Sequence, residues 1–166
     1  MTETKMLRHK MRHYLNTGTT SSPTWSLINK GVSSLTTNFN PEVEEEAGIA
    51  DEAKSKYTTG LAPETTFDMN VVRGDDANDK IFELCWERKI GSEADVEILT
   101  VDMLGTPTGT SPNLSWPAQK ETVNVGYNSR GDEAVKPLKI SVTLGHLGGV
   151  ENGTFNPTTG TYTKNT

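Results

Sequence analysis

His9 and His13 stand four residues apart, a spacing that puts two imidazoles on one helix face and suits a metal ion. No Glu, Asp or Cys beside them completes a site. Two ligands are too few for a structural zinc, so a solvated basic segment is expected instead. His146 precedes a glycine run. A catalytic triad would need a nucleophile at an elbow and an acid partner, and no Gly-x-Ser-x-Gly or equivalent is present. Asp75, Asp76, Asn78 and Asp79 suggest calcium, but the sixth position counted from Asp76 is Ile81 where the loop needs glycine, so helix capping explains them better. Gly145 to Gly153 lacks the Gly-Lys-Ser/Thr of a phosphate loop and the dinucleotide fingerprint. Cys85 stands alone, which rules out an intrachain disulfide or a cysteine-based zinc site, and it reads as a small core residue. Asn113-Leu-Ser and Asn152-Gly-Thr match the glycosylation pattern by chance if the chain is not secreted. Neither catalytic residues nor a cofactor nor a metal is expected.

The elements that carry these residues are mostly strands. In Glu121 to Tyr127 the apolar Val123, Val125 and Tyr127 alternate with Thr122, Asn124 and Gly126. In Leu138 to Leu144 the apolar Leu138, Ile140, Val142 and Leu144 alternate with Lys139, Ser141 and Thr143. Such alternation buries one face and wets the other. The 166 residues fit one domain, and 33% hydrophobic content limits its core. A formal charge of −6 argues against phosphate-neutralising nucleic-acid binding and against an anionic membrane surface. The segment Met1 to Leu15 has no apolar centre and is not expected to be a signal peptide, which fits cytosolic synthesis, and no run is long enough to span a bilayer.

Along the chain, residues 1–24 read as an N-terminal arm, basic at Lys5, Arg8, Lys10 and Arg12, with Met6, Leu7, Met11, Tyr14 and Leu15 lining a short helix. Residues 25–166 form the body. Trp25 to Leu35 reads as its first strand, with a turn or bulge at Lys30-Gly31. Residues 41–64 form a polar loop crowded with Glu42, Glu44, Glu45, Glu46, Asp51 and Glu52; about twenty residues without periodicity suggest a loop with an external job. Thr65 to Val72 is a strand. The spacing predicts a helix over about 78–90, capped by Asp76 or Asn78 and closed by Gly91. Its apolar stripe is wide enough to plug the open side of a barrel or sandwich. Val96 to Met103 is a strand whose alternation changes phase at Ile98-Leu99, as a bulge would cause. Residues 104–117 form a loop, Gly145 to Gly149 breaks the sheet, and Val150 to Phe155 pairs with Thr161 to Lys164 in a last hairpin.

In serial order these landmarks resemble the major tail tube protein of long-tailed bacteriophages. The likeness is carried by Trp25…Lys30-Gly31-Val32…Leu35 leading to Asn40-Pro41 and an acidic loop, and by Thr66-Phe67-Asp68-Met69 with Asp75 to Asp79 opening one helix. The strand pair Glu121 to Tyr127 and Pro137 to Leu144, and the ending Gly153-Thr154-Phe155-Asn156, complete it. The resemblance implies a mainly β (α+β) fold, a small β-barrel or sandwich with one flanking helix. It implies a structural virion protein whose hexameric rings stack helically into a tube for genome ejection, made in the bacterial host cytoplasm. Tape measure and tail terminator or tip proteins would be partners, and phage DNA a transient cargo. The family brings no catalytic residues.

Two expectations follow for particular side chains. The acidic residues of loop 41–64 could meet the basic arm (Lys5, Arg8, Lys10, Arg12) of a copy in the adjacent ring, since opposite charges on two segments suit head-to-tail stacking. The wet face bearing Thr122, Asn124, Ser141 and Thr143 could line the bore. Two other classes remain open: the inner tube of a contractile tail or type VI-like injection device, and, more remotely, a β-sandwich carbohydrate-binding module. Trp25, Trp86 and Trp116 are scattered rather than clustered as the latter would want.

Overall fold

A computed structural model describes residues 5–166. The strands are β1 (Met11–Asn16), β2 (Trp25–Leu27), β3 (Val32–Asn38), β4 (Pro41–Glu46), β5 (Ser55–Leu61), β6 (Glu64–Asn70), β7 (Asp95–Asp102), β8 (Thr108–Thr110), β9 (Asn113–Gly131), β10 (Lys139–Asn156) and β11 (Thr161–Lys164). One α-helix, α1 (Asp76–Trp86), lies between β6 and β7. The main sheet runs β2-β1-β7-β9-β10-β6-β3, with β8 on β9 and β11 on β10. It curls into a half-barrel. Its two end strands, β2 and β3, are joined through Ile28 to Gly31, so the curl brings its edges together at that turn. The strands β4 and β5 form a separate two-stranded sheet.

Facing partners in the ladders sort the side chains into two layers. Val96, Ile98, Val123, Val125, Ile140, Val142, Leu144, Phe67 and Met69 point to the face covered by α1, where Ala77, Ile81, Leu84 and Cys85 meet them. Tyr14, Leu99, Val101, Ala118 and Phe155 form a second cluster, on the opposite face at the far end of the sheet. Strand β7 serves both. Its pairing with β9 is unbroken from Asp95 to Val101, so the phase change at Ile98-Leu99 is no bulge: the strand passes from one core to the other. The expected break at Gly145 to Gly149 is instead a register shift between Leu147 and Glu151, and β10 continues through it.

Further expectations change with the structure. Residues 11–16 are not part of a helical arm: β1 sits between β2 and β7, with Leu15 wholly buried and Tyr14 and His13 nearly so. Burial on both faces of a short strand leaves no alternation to read. The stretch from Trp25 to Leu35 is two strands, β2 on β1 and β3 on β6, split by a turn in which Gly31 has φ 77° and a Cβ would run into Asn70 O. Loop 41–64 is largely the β4–β5 hairpin, and the loop expected over 104–117 instead holds β8 and the start of β9, paired with each other.

Helix α1 is capped by Asp75, not by Asp76 or Asn78 as expected: the Asp75 side chain accepts from Asn78 N at 3.1 Å. Asn78 itself is buried and ties the helix to the sheet: Nδ2 donates to Lys30 O (3.2 Å) and Asn70 O (2.9 Å), and Oδ1 accepts from Val72 N (3.1 Å). The helix stops at Trp86, short of the expected residue 90. Arg88, at φ 55°, takes the left-handed position, Arg88 N donates to Cys85 O and Lys89 N to Leu84 O, so Arg88 closes the helix rather than Gly91.

Candidate assembly surfaces

The acidic run lies on the β4–β5 hairpin, every residue of which from Glu42 to Thr59 is exposed. Its two strands contact chiefly each other. Strand periodicity divides the acids between two faces. Glu45 stands opposite Lys56 and is paired with Lys56 (2.9 Å) and Lys54 (3.3 Å), whose hydrogen bonds hold its carboxyl below the usual range. Glu44 stands opposite Tyr57, and Glu42, Glu44 and Glu46 have no ion partner among the described residues. Asp51 caps the tip by accepting from Gly48 N, and Glu52 beside it is exposed. The hairpin thus presents one neutralised face and one acidic face.

The basic residues are not equivalent either. Lys5 is exposed, and Lys10 and Arg12 are half-buried. Arg8 is committed within its own chain: Nη1 donates to Met11 O (2.6 Å) and Nη2 to Leu35 O (3.4 Å). These carbonyls belong to β1 and β3, so the guanidinium stitches the seam where the half-barrel fails to close, beside a cleft of about 550 Å³. Within the chain, the acidic hairpin and the basic segment make no ion pair among the described residues.

Thr122, Asn124, Ser141 and Thr143 do share one face of β9 and β10, the face turned away from α1, and each is half-exposed. Asn124 Nδ2 donates to Asp95 Oδ1 (2.6 Å) and Gly91 O (2.7 Å), and Thr143 Oγ1 accepts from Asn128 (2.8 Å). Register places Thr66 and Asp68 of β6 and Asp95 and Glu97 of β7 on the same face. Lys139 pairs with Asp68 at 2.9 Å and keeps that carboxyl deprotonated to lower pH than usual. The surface is a continuous polar, net acidic sheet face.

Inside the curl lies a polar network that the sequence did not disclose. His146 Nε2 and Thr65 Oγ1 are 2.8 Å apart, and Thr65 Oγ1 and Thr37 Oγ1 are 2.7 Å apart. His146 Nδ1 lies 3.1 Å from Glu121 Oε1, close but not aligned as a hydrogen bond. The structure therefore supplies the acid neighbour that His146 lacks in the sequence. Thr65 is buried and its hydroxyl is held by two partners, so the row links β3, β6 and β10 rather than presenting a free nucleophile. His13, against Thr100 at 3.2 Å, borders the same cavity of about 440 Å³; burial first, then Arg8 and His146, push its pKa down to about 4. His9 and His13 are not brought together as ligands, and among the described residues no group of three or more His, Cys, Asp or Glu could hold a metal. No helix among the described residues is long and apolar enough to cross a membrane.

Against solved structures the chain is similar to the SPP1 tail tube determined by solid-state NMR and cryo-EM, with a TM-score of 0.61 over 89% of this chain and 78% of that one at 11% identity. The fold is that of a tail tube subunit. The fold is similar also to the tail of an empty GTA particle refined with C6 helical symmetry (TM-score 0.52, 9% identity, 88% of this chain and 97% of that one). The six-fold symmetrised baseplate of the anti-feeding prophage is similar as well (TM-score 0.50, 11% identity, 91% and 97%). No family profile and no curated protein sequence matches the chain. The mainly β fold with one flanking helix, expected from the sequence, agrees with the tail-tube fold.

Proposed function

We propose that this chain is a structural subunit of a phage tail tube, in which hexameric rings stack helically into a conduit for the genome. The observation that carries the reading is the tail-tube fold, shared with the SPP1 tail tube and with two assemblies of six-fold symmetry. The exposed β4–β5 hairpin supports it, because an isolated two-stranded sheet is marginal in water and gains stability against a partner surface. Glu42, Glu44, Glu46, Asp51 and Glu52, together with Lys5, Lys10 and Arg12, are the charged groups proposed for contacts between rings; Glu45 and Arg8, engaged in their own chain, contribute less. The face of Thr122, Asn124, Ser141 and Thr143 is proposed to line the bore, where its carboxylates repel phosphate and keep DNA moving. The role is geometric rather than catalytic. Tape measure and terminator or tip proteins are the proposed partners at the tube ends, and the virion tail the proposed location.

Size-exclusion chromatography and negative-stain imaging of the purified full chain test this. Rings or hollow tubes are expected. A chain that stays monomeric at every concentration overturns the reading, and one that also binds sugar would favour the β-sandwich module. A sheath around native tubes would move the assignment to a contractile device.

A further inference from the structure

We propose that the tip of the β4–β5 hairpin docks on the C-terminal end of α1 and the turn that follows it in a second copy of this chain, with Ile49 packed on Trp86 and Ile90 and with Asp51 and Glu52 facing Arg130. The inference rests on the tube reading but names a contact which that reading leaves open.

Ile49 is fully exposed at the hairpin tip, and nothing among the described residues covers it. The hairpin's strands are six and seven residues long, roughly 20 Å at strand rise, and they carry the tip away from a root at Pro41 and Leu61. The receiving surface is equally unpartnered: Trp86 is 65% and Ile90 81% exposed. It is also ordered. Phe82 and Trp86 stack with centroids 5.9 Å apart at 22°, and Arg130 Cζ lies 5.3 Å from the Trp86 centroid. A guanidinium held over a ring needs little further ordering on binding. Exposed Trp and Arg side by side is the composition of interface anchor residues.

Charge gives the occupant its sign. Arg130 has no carboxylate within ion-pairing distance among the described residues, whereas Arg73, over Phe82, is shared with Asp79 at 3.2 Å. Glu87 beside Trp86 is held by Lys89 at 3.5 Å. Because α1 also exposes Glu83, the attraction centres on Arg130 rather than on the helix as a whole. An apolar knob flanked by two carboxylates complements an apolar shelf topped by one free guanidinium. The basic segment at residues 5–12 offers cations to the hairpin's acidic body but no aromatic shelf to its tip.

Cross-linking tests the contact. In a Cys85→Ser background, full chains carrying Ile49→Cys are co-assembled under mild oxidation with chains carrying Ile90→Cys or, separately, Leu7→Cys. A disulfide between Ile49→Cys and Ile90→Cys chains in assembled tubes is expected, since the bond requires Cα atoms within about 7 Å. Normal tubes with no such link, or with the link to Leu7→Cys instead, overturn the proposal and leave the tube reading standing. Absence of tubes from the unmodified chain overturns both. As a second readout, Trp86→Ala and Arg130→Glu, both surface changes, should raise the concentration needed for assembly at least about tenfold. Adding Asp51→Lys with Glu52→Lys should restore the Arg130→Glu chain; failure to restore it contradicts the pairing.

Discussion

Two hairpins of this chain answer the same question in opposite ways. The long β9–β10 hairpin, of 19 and 18 residues, is the spine of the sheet and supplies side chains to both cores. The β4–β5 hairpin buries nothing and presents carboxylates to solvent. A strand pair gains little from its own hydrogen bonds, which replace bonds to water, and most of its stability from the faces it covers. The first hairpin therefore has its reason for existing inside the subunit. The second covers nothing in its own subunit, and on the proposed reading the difference separates the parts that fold the protein from the parts that assemble it.

The sharpest separation should come from truncating large apolar side chains. Phe155→Ala, at the end of β10 and almost wholly buried, should lose about 3–5 kcal/mol in urea denaturation, while Ile49→Ala or Val43→Ala should change monomer stability by less than about 0.5 kcal/mol. A large loss at Ile49 would show that the hairpin belongs to the folded core after all. Next in size, Asn78→Ala removes three hydrogen bonds that join α1 to the β2–β3 turn and to β6, and should cost about 2–3 kcal/mol by the same assay.

Acid should act on the folding half through His13. Its folded-state pKa, pushed down to about 4, lies below the unfolded value of 6.5, so the unfolded chain binds the proton more readily. The stability that His13 contributes is complete above pH 6.5 and is lost as pH falls from there towards 4, about 2 kcal/mol of it between pH 7 and pH 5. Unfolding midpoints at those two pH values measure this, and His13→Gln should flatten the difference. Smallest in the monomer, and largest in the assembly, is reversal of the acidic face: Glu42→Lys, Glu44→Lys and Glu46→Lys together should leave the circular dichroism and melting of the monomer nearly unchanged yet prevent tube growth. Tubes forming at the usual concentration would break the link between this face and stacking.

What the sequence disclosed follows the same division. The period of two in β9, β10 and β6 was legible because each strand there has one buried face, and the Lys30-Gly31 turn was legible because glycine marks it. Strand β1 was not, since consecutive Tyr14 and Leu15 are buried on opposite faces and its basic flank reads as an arm. In β7 the switch of core mimics a bulge. The β4–β5 hairpin escaped because a strand that covers nothing needs no apolar alternation. The four residues expected on one wet face are there, placed by simple alternation. The row Thr37–Thr65–His146–Glu121 was out of reach, for its members come from four strands and the Thr65–His146 bond spans 81 positions. The same holds for Trp86 and Arg130, which only the fold brings together.

Amide hydrogen exchange, residue by residue, on the monomer and on the assembled particle puts the contrast to its most direct test. Amides of β9 and β10 that donate to neighbouring strands of the main sheet should be protected in both states. Amides of β4 and β5 should exchange rapidly in the monomer and become protected on assembly. A hairpin already protected as strongly as β9–β10 in the monomer, or one that stays unprotected in finished tubes, would contradict the account.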